Sequence, residues 1–251
     1  MSLILTALQH IPLIRRGDNL ADIILNATNF TLLDNDIFVL AQKIVSKAEG
    51  RIVNLADVQP SQPALDLARK TEKDPRLVEL MLQESNEVVR YRKNVIVVEH
   101  KLGFICANAG IDHSNVLGDG EHKDKVLLLP QRPDQSAKQI RDEIKQRTNK
   151  NIGVMIIDSH GRAWRNGTVG VCIGLSGIPA IIDERGWKDL FGYTLQATIV
   201  GVADELAAAA SLVMGQAAEG TPVVHVRGFP YPLGEGSLQE LIRPKEMDMF
   251  R

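Results

Sequence analysis

Three polar stretches bring oxygen-bearing side chains to the ends of apolar runs. Asn108-Ala-Gly-Ile-Asp112-His-Ser-Asn115 leaves the run Phe104 to Ala107, and Asp158-Ser159 ends Val154-Met-Ile-Ile just ahead of Gly161-Arg162 and Trp164-Arg165. Asp204 and Glu205 stand side by side among Gly201, Val202, Ala207, Ala208 and Ala209, a segment suited to close packing on other backbone. A carboxylate embedded there requires a partner, because an unpaired buried charge is costly. Acids with hydroxyl and amide oxygens, and no Cys or His pattern, suit hard cations such as Mg²⁺ or Mn²⁺ that also hold phosphate oxygens. Arg162 and Arg165 would then clamp anionic groups. Plainer readings stand beside these. Asn and Asp next to Gly are ordinary turn residues, a strand-terminal Asp can cap a turn, a wet helix face solvates Asp204 and Glu205, and the two arginines can pair with Asp183 or Glu184.

The common nucleotide and hydrolase motifs are absent. The chain has no Gly-x4-Gly-Lys-Ser/Thr and no Gly-x-Gly-x-x-Gly, and Gly174-Leu-Ser176-Gly177 is one residue short of a nucleophile elbow. The six histidines are scattered without a His-Glu-x-x-His, so a zinc hydrolase is not indicated, and His100, His122 and His225 read as surface or core residues. Cys106 and Cys172 match no zinc or redox spacing and read as two buried thiols in a reducing compartment.

The elements that must position these groups follow from patterning over 251 residues, of which 24% are charged with a net charge of -2. That balance excludes disorder and a basic nucleic-acid surface. Only 11 aromatic residues leave a core of Ala, Val, Ile and Leu. Strands are predicted at Ser2 to Leu8, Ile37 to Leu40, Gly153 to Ile157, Val169 to Leu175 and Pro222 to Val226, with a hairpin of Val95 to Glu99 and Gly103 to Ala107. Asp18 is predicted to cap a short helix carrying Leu20, Ile23, Ile24 and Ala27, Asp74 with Pro75 to start another, and Asp134 to cap one running to about Lys150. Residues Ala41 to Arg51 form a polar stretch, Asp158 to Arg162 a turn, and Thr194 to Met214 one long helix closed by Gly215. Strands and helices mix without a βαβ rhythm, which predicts an α+β fold of mixed sheets with packed helices. No run approaches a membrane span or a secretory signal, so a cytoplasmic protein is expected.

Several blocks resemble the coenzyme F-420-0:L-glutamate ligase family in family order. They are Ile11-Pro-Leu-Ile14, Gly17-Asp-Asn-Leu-Ala21, Gln42-Lys-Ile-Val-Ser-Lys-Ala-Glu-Gly-Arg51, Asn108 to Asn115, Asp158-Ser-His-Gly-Arg-Ala-Trp-Arg165, Gly201-Val-Ala-Asp-Glu-Leu-Ala207 and Leu241-Ile-Arg-Pro244. The resemblance implies a GTP-dependent ligase that adds L-glutamate to the lactyl phosphate carboxylate of the deazaflavin coenzyme F-420-0. The carboxylate would take the γ-phosphate of GTP as an acyl phosphate, and the glutamate amine would displace phosphate.

Position by position, the resemblance makes Asp112 and Asp158 ligands of one divalent ion and Ser159 and Glu205 ligands of a second, with Ser159 standing where many relatives have Thr. It matches Ile11, Pro12, Leu13, Ile14, Lys43, Ser46, Lys47, Asn115, Asp204 and Leu206 to GTP-contacting blocks, with Lys47 as the phosphate-side cation. Arg162 and Arg165 are assigned to phosphate or acyl-phosphate stabilisation, while His113 and His160 receive no role. The resemblance further implies K⁺ as an added monovalent ion, intertwined subdomains in a homodimer, one ligase domain over residues 1–251, and no nitroreductase-like domain after it. Two other functions use the same groups: a metal-dependent phosphohydrolase with water in place of the amine, and a GTP-binding module without turnover.

Overall fold

The structure is a computed structural model that describes residues 2–116 and 124–249. His122 lies outside the described residues. The chain opens with β1 (Ile4–Ala7), α1 (Leu20–Ala27), β2 (Ile37–Ala41), α2 (Gln42–Ala48) and β3 (Ile52–Asn54). Next come α3 (Gln62–Thr71), α4 (Pro75–Gln83), β4 (Ser85–Arg92), β5 (Val95–His100), β6 (Ile105–Ala107) and β7 (Lys125–Leu127). After α5 (Pro133–Thr148) follow β8 (Gly153–Gly161), β9 (Thr168–Ser176), β10 (Ile182–Asp183), β11 (Ile199–Val200), α6 (Val202–Met214), β12 (Val223–Arg227) and α7 (Leu238–Leu241).

The fold is α+β. A five-stranded sheet runs in the order β1-β12-β2-β8-β9, and only its β2–β8 pair is parallel. Both faces of this sheet are buried, which is why β2 and β8 read as unbroken apolar runs. The strand period of two splits each run cleanly. Phe38, Leu40, Val154 and Ile156 pack into one core with α1, α2 and α5, whereas Ile37, Val39, Met155 and Ile157 pack into another with α6. A third core gathers α3, α4, β5 and β7, and Phe104 packs against both this one and the first.

Close backbone approach fixes how the helices meet β9. A Cβ on Gly174 would lie 2.5 Å from the Pro133 backbone, and one on Gly170 would lie 2.6 Å from the carbonyl oxygen of Ala207. The near-miss around Gly174 therefore serves α5 packing rather than a nucleophile.

Several local expectations require correction. Asn19 caps α1 by accepting from Asp22 N at 2.9 Å, while Asp18 accepts from Arg15 N, one turn earlier. Asp134 follows Pro133 inside α5 and accepts from Leu175 N at 2.8 Å and Leu238 N at 3.0 Å, so it ties the helix start to the sheet instead of capping it. The polar stretch after β2 contains α2, and the turn expected at Asp158 is the continuation of β8 through Gly161. The long helix starts only at Val202, because Ile199 and Val200 are β-branched and pair in the β10–β11 ladder. Asp204 and Glu205 consequently occupy its first turn. Gly215 does end the helix, with φ +76°.

Candidate active site

The site lies at the carboxyl ends of the parallel strands β2 and β8, where open α/β sheets commonly bind ligands. β2 stops pairing at Ala41, opposite Ile157, so Asp158, Ser159, His160 and Gly161 extend past it with one edge open. Alternation along β8 puts Asp158 and His160 toward Phe104 and Ser159 toward the end of α6. The contacts agree: His160 packs on Phe104, and Ser159 bonds Gln216. A cavity of about 1110 Å³ opens at this point, large beside the roughly 300–1,000 Å³ of common ligand pockets.

Asp112 is carried in by a loop whose Asn108, Ala109 and Gly110 all have left-handed backbone, with φ of 53°, 53° and 64°. Asn108 Oδ1 accepts from Ile96 N, and Asp112 exchanges backbone bonds of 2.9 Å with Leu127, which pins the loop to β7. The Asp112 carboxylate accepts from Gln42 Nε2 at 2.7 Å and lies 3.1 Å from Lys43 Nζ. Burial pushes its pKa up, Lys43 and Gln42 pull against this, and the negative charge of Asp158 adds to the rise. Ser46 is buried behind Gln42 and donates to Gln42 Oε1 at 2.9 Å, four residues away on α2.

Two lysines supply positive charge. Lys43 donates to Ser114 O and Oγ beside Asp112. Lys47 lines the same cavity, and burial together with Lys43 lowers its pKa. Ile11, Pro12, Leu13 and Ile14 form a further stretch of its wall.

The segment after α6 closes a third side. Ser159 Oγ donates to Gln216 Oε1 at 2.8 Å, Gln216 Nε2 donates to Ser211 Oγ at 3.0 Å, and Asn115 Nδ2 donates to Ala217 O at 2.9 Å. Gln216 and Gln42 were missed in the sequence, although Gln42 opens one of the quoted blocks.

The structure thus brings Asp112, Asp158, Ser159, Lys43, Lys47, Asn115 and Ile11 to Ile14 to one cavity. Glu205 is exposed and does not line it, while Asp204 accepts from Cys172 N at 2.9 Å and Leu206 is buried in the α6 core. Arg162 and Arg165 lie on the exposed tip between β8 and β9, outside the lining; Arg162 donates to Gly167 O, and Asp183 pairs instead with Arg185. Both cysteines are buried and free, and burial raises the Cys106 thiol to about 12 and pushes the Cys172 thiol up as well.

The donor set suits divalent cations of the Mg²⁺ or Mn²⁺ kind. It offers carboxylate, hydroxyl and amide oxygens from Asp112, Asp158, Ser159 and Gln216 within one cavity. Among the described residues no group of three or more His, Cys, Asp and Glu could hold a metal. Mg²⁺ fits such sparse sites, since it commonly takes one or two carboxylates and completes its shell with water and substrate phosphates. Among the described residues no helix is long and apolar enough to cross a membrane.

The similarity to known proteins extends over nearly the whole chain. The family described as F420-0:gamma-glutamyl ligase matches residues 9–228. A protein of Methanothermobacter thermautotrophicus named coenzyme F420:L-glutamate ligase is 47% identical over 256 residues, with 100% of each chain covered. Proteins of the same name from Methanocaldococcus jannaschii and Archaeoglobus fulgidus are 46% and 42% identical, over 96% of this chain and 94% and 93% of theirs.

Proposed function

Because the chain belongs to the F420-0:gamma-glutamyl ligase family, we propose that it joins L-glutamate to coenzyme F-420-0 at the expense of GTP. The observation that carries this reading is the meeting of Asp112 and Asp158, from a loop and a strand far apart in sequence, beside Lys43 and Lys47 in one cavity.

In this reading a lactyl carboxylate oxygen attacks the γ-phosphorus of GTP. A carboxyl–phosphate bond forms, the β–γ bridge breaks, and GDP leaves. The α-amine of glutamate then attacks the acyl carbon; the amide bond forms and phosphate departs with the bonding pair, while the amine proton passes to water. A free carboxylate is a poor acylating agent, and phosphorylation turns its oxygen into a leaving group.

Divalent ions, when bound, neutralise the charge that makes GTP and the acceptor carboxylate repel. Asp112 and Asp158 would hold one such ion. Within a single chain, Ser159 and the amide oxygen of Gln216 are the donors placed for the second, and Glu205 is left as a ligand only to an ion shared between two copies. Lys47, which has no anionic partner among the described residues, would meet the γ-phosphate as a point charge. Ile11 to Ile14 offer an apolar wall to the base, and Asn115 a polar contact. Ser46 acts through Gln42, and Asp204 and Leu206 act by seating α6. Arg162 and Arg165 would reach the acyl phosphate from the cavity mouth. K⁺ stays part of the proposal on family grounds alone.

A homodimer is the proposed functional unit. The β10–β11 arm exposes Leu190 and Phe191 almost fully, with Trp187 and Tyr193 beside them, and exposed apolar patches of this kind mark association surfaces.

Incubation with GTP, Mn²⁺, L-glutamate and F-420-0 should give a product heavier by one glutamyl unit, with GTP turnover dependent on the acceptor. Equal phosphate release without acceptor and glutamate would instead select the phosphohydrolase.

A further inference from the structure

His160 is a mostly buried side chain at the cavity to which no role in the reaction has so far been given. It shares a face of β8 with Asp158, two residues earlier, and its Nε2 lies 3.0 Å from Asp158 Oδ2. The approach is within ion-pair range, but among the described residues this buried nitrogen has no aligned hydrogen bond. Asp158 Oδ2 is thus the acceptor in its reach, and a small rotation of either side chain completes the bond.

What holds the imidazole in place is a row of rings from a different part of the fold. Its ring packs against Phe104 at a centroid separation of 5.0 Å and 53°. Phe104 stacks in turn on His100 at 5.3 Å and 9°. His100 is fixed because its Nδ1 accepts from Leu102 N at 3.0 Å within the β5–β6 turn. The hairpin that leads into the Asp112 loop therefore also sets the ring that faces Asp158.

We propose that His160 is a positioning residue for Asp158, binding Oδ2 through its Nε2–H so that Oδ1 is left to face a divalent cation. This inference rests on the reading of Asp158 as a cation ligand. Partners that orient a ligating group commonly change metal affinity by about 10- to 100-fold when removed. A side chain that merely fills space behind the strand would not have that effect, whereas a different donor at the same reach restores the binding only if the hydrogen bond to Asp158 is what matters.

The test is a Mn²⁺ titration followed by the electron paramagnetic resonance of the free ion, on the whole protein without nucleotide or acceptor. Wild type, Asp158→Asn, His160→Leu and His160→Gln are compared, with circular dichroism melts on each. His160→Leu should weaken Mn²⁺ binding by about 10- to 100-fold, and His160→Gln, which keeps a side-chain N–H, should recover most of that loss. Equal affinity in wild type and His160→Leu overturns the positioning role while leaving the cation site standing. So does a Gln variant as weak as Leu, which would assign the effect to lost ring packing. If wild type and Asp158→Asn titrate alike, the cation reading itself fails and this inference falls with it.

Discussion

Ser159 and Gln216, 57 residues apart in the chain, meet in a 2.8 Å hydrogen bond that ties the end of β8 to the segment following α6. The bond from Gln216 Nε2 to Ser211 Oγ fixes which way the amide faces, so its oxygen and the Ser159 hydroxyl share one small space. Replacing Gln216 by Leu should raise the Mn²⁺ concentration needed for half-maximal turnover by about 10-fold or more and leave the melting temperature nearly unchanged. A variant with the wild-type Mn²⁺ dependence would remove Gln216 from the cation site.

Asp112 gives a prediction that separates stability from activity. Burial raises its pKa despite Lys43, so the ionised side chain is held at a cost in the metal-free fold. Asp112→Asn keeps the volume and removes that buried charge. Turnover should be lost, while the metal-free variant should melt at or above the wild-type temperature at pH 7. A large drop in melting temperature would show instead that the Lys43 pair is needed for folding.

Gly170 tests the seat of α6. Its missing Cβ lets the helix approach until the Ala207 carbonyl would be 2.6 Å from that atom. Gly170→Ala should cost about 1–3 kcal/mol in urea unfolding. Because Gln216 follows the same helix, the Mn²⁺ dependence of turnover should shift as well. An unchanged midpoint in urea would mean the contact is slack.

Acid sensitivity should come from two buried histidines. Burial is the chief cause holding His100 down at about 4, and burial also lowers His225 against the opposing pull of Asp36. His100 stays neutral in the fold down to about 4, and His225 takes up its proton less readily in the fold than in the unfolded chain, where both protonate below about 6.5. The unfolded chain then binds more protons, so stability falls as pH drops from about 6.5 toward 4, with roughly 3 kcal/mol from His100 alone. His100→Phe should flatten this acid limb, at a pH-independent cost of about 1 kcal/mol for the lost Leu102 bond. An equally steep limb in the variant would assign the slope elsewhere.

The sequence was most informative where one contiguous block does one job. The apolar runs of β2 and β8 are legible because both sheet faces are buried, and Asp158-Ser159 follows directly from β8. Period-two alternation then sends these neighbours to opposite faces, which patterning alone does not reveal once it is read as a turn. Ser46 belongs to the same block as Lys43 and Lys47 but sits behind Gln42, because the i, i+4 spacing on α2 puts it there. Gln216 carried no signal, since it follows a helix-ending glycine and its partner lies on another element. Apolar character continues unbroken from β11 into α6 and hides the helix start, so the sequence places Asp204 and Glu205 in mid-helix rather than in the first turn.

The acyl-phosphate route fixes the fate of the acceptor's carboxylate oxygens. F-420-0 carrying ¹⁸O in that carboxylate, incubated with the protein, GTP, Mn²⁺ and L-glutamate, should release inorganic phosphate bearing one ¹⁸O for each amide formed, because the acyl phosphate hands that oxygen over when the amine displaces it. Phosphate released without the label while amide accumulates would contradict the acyl-phosphate route.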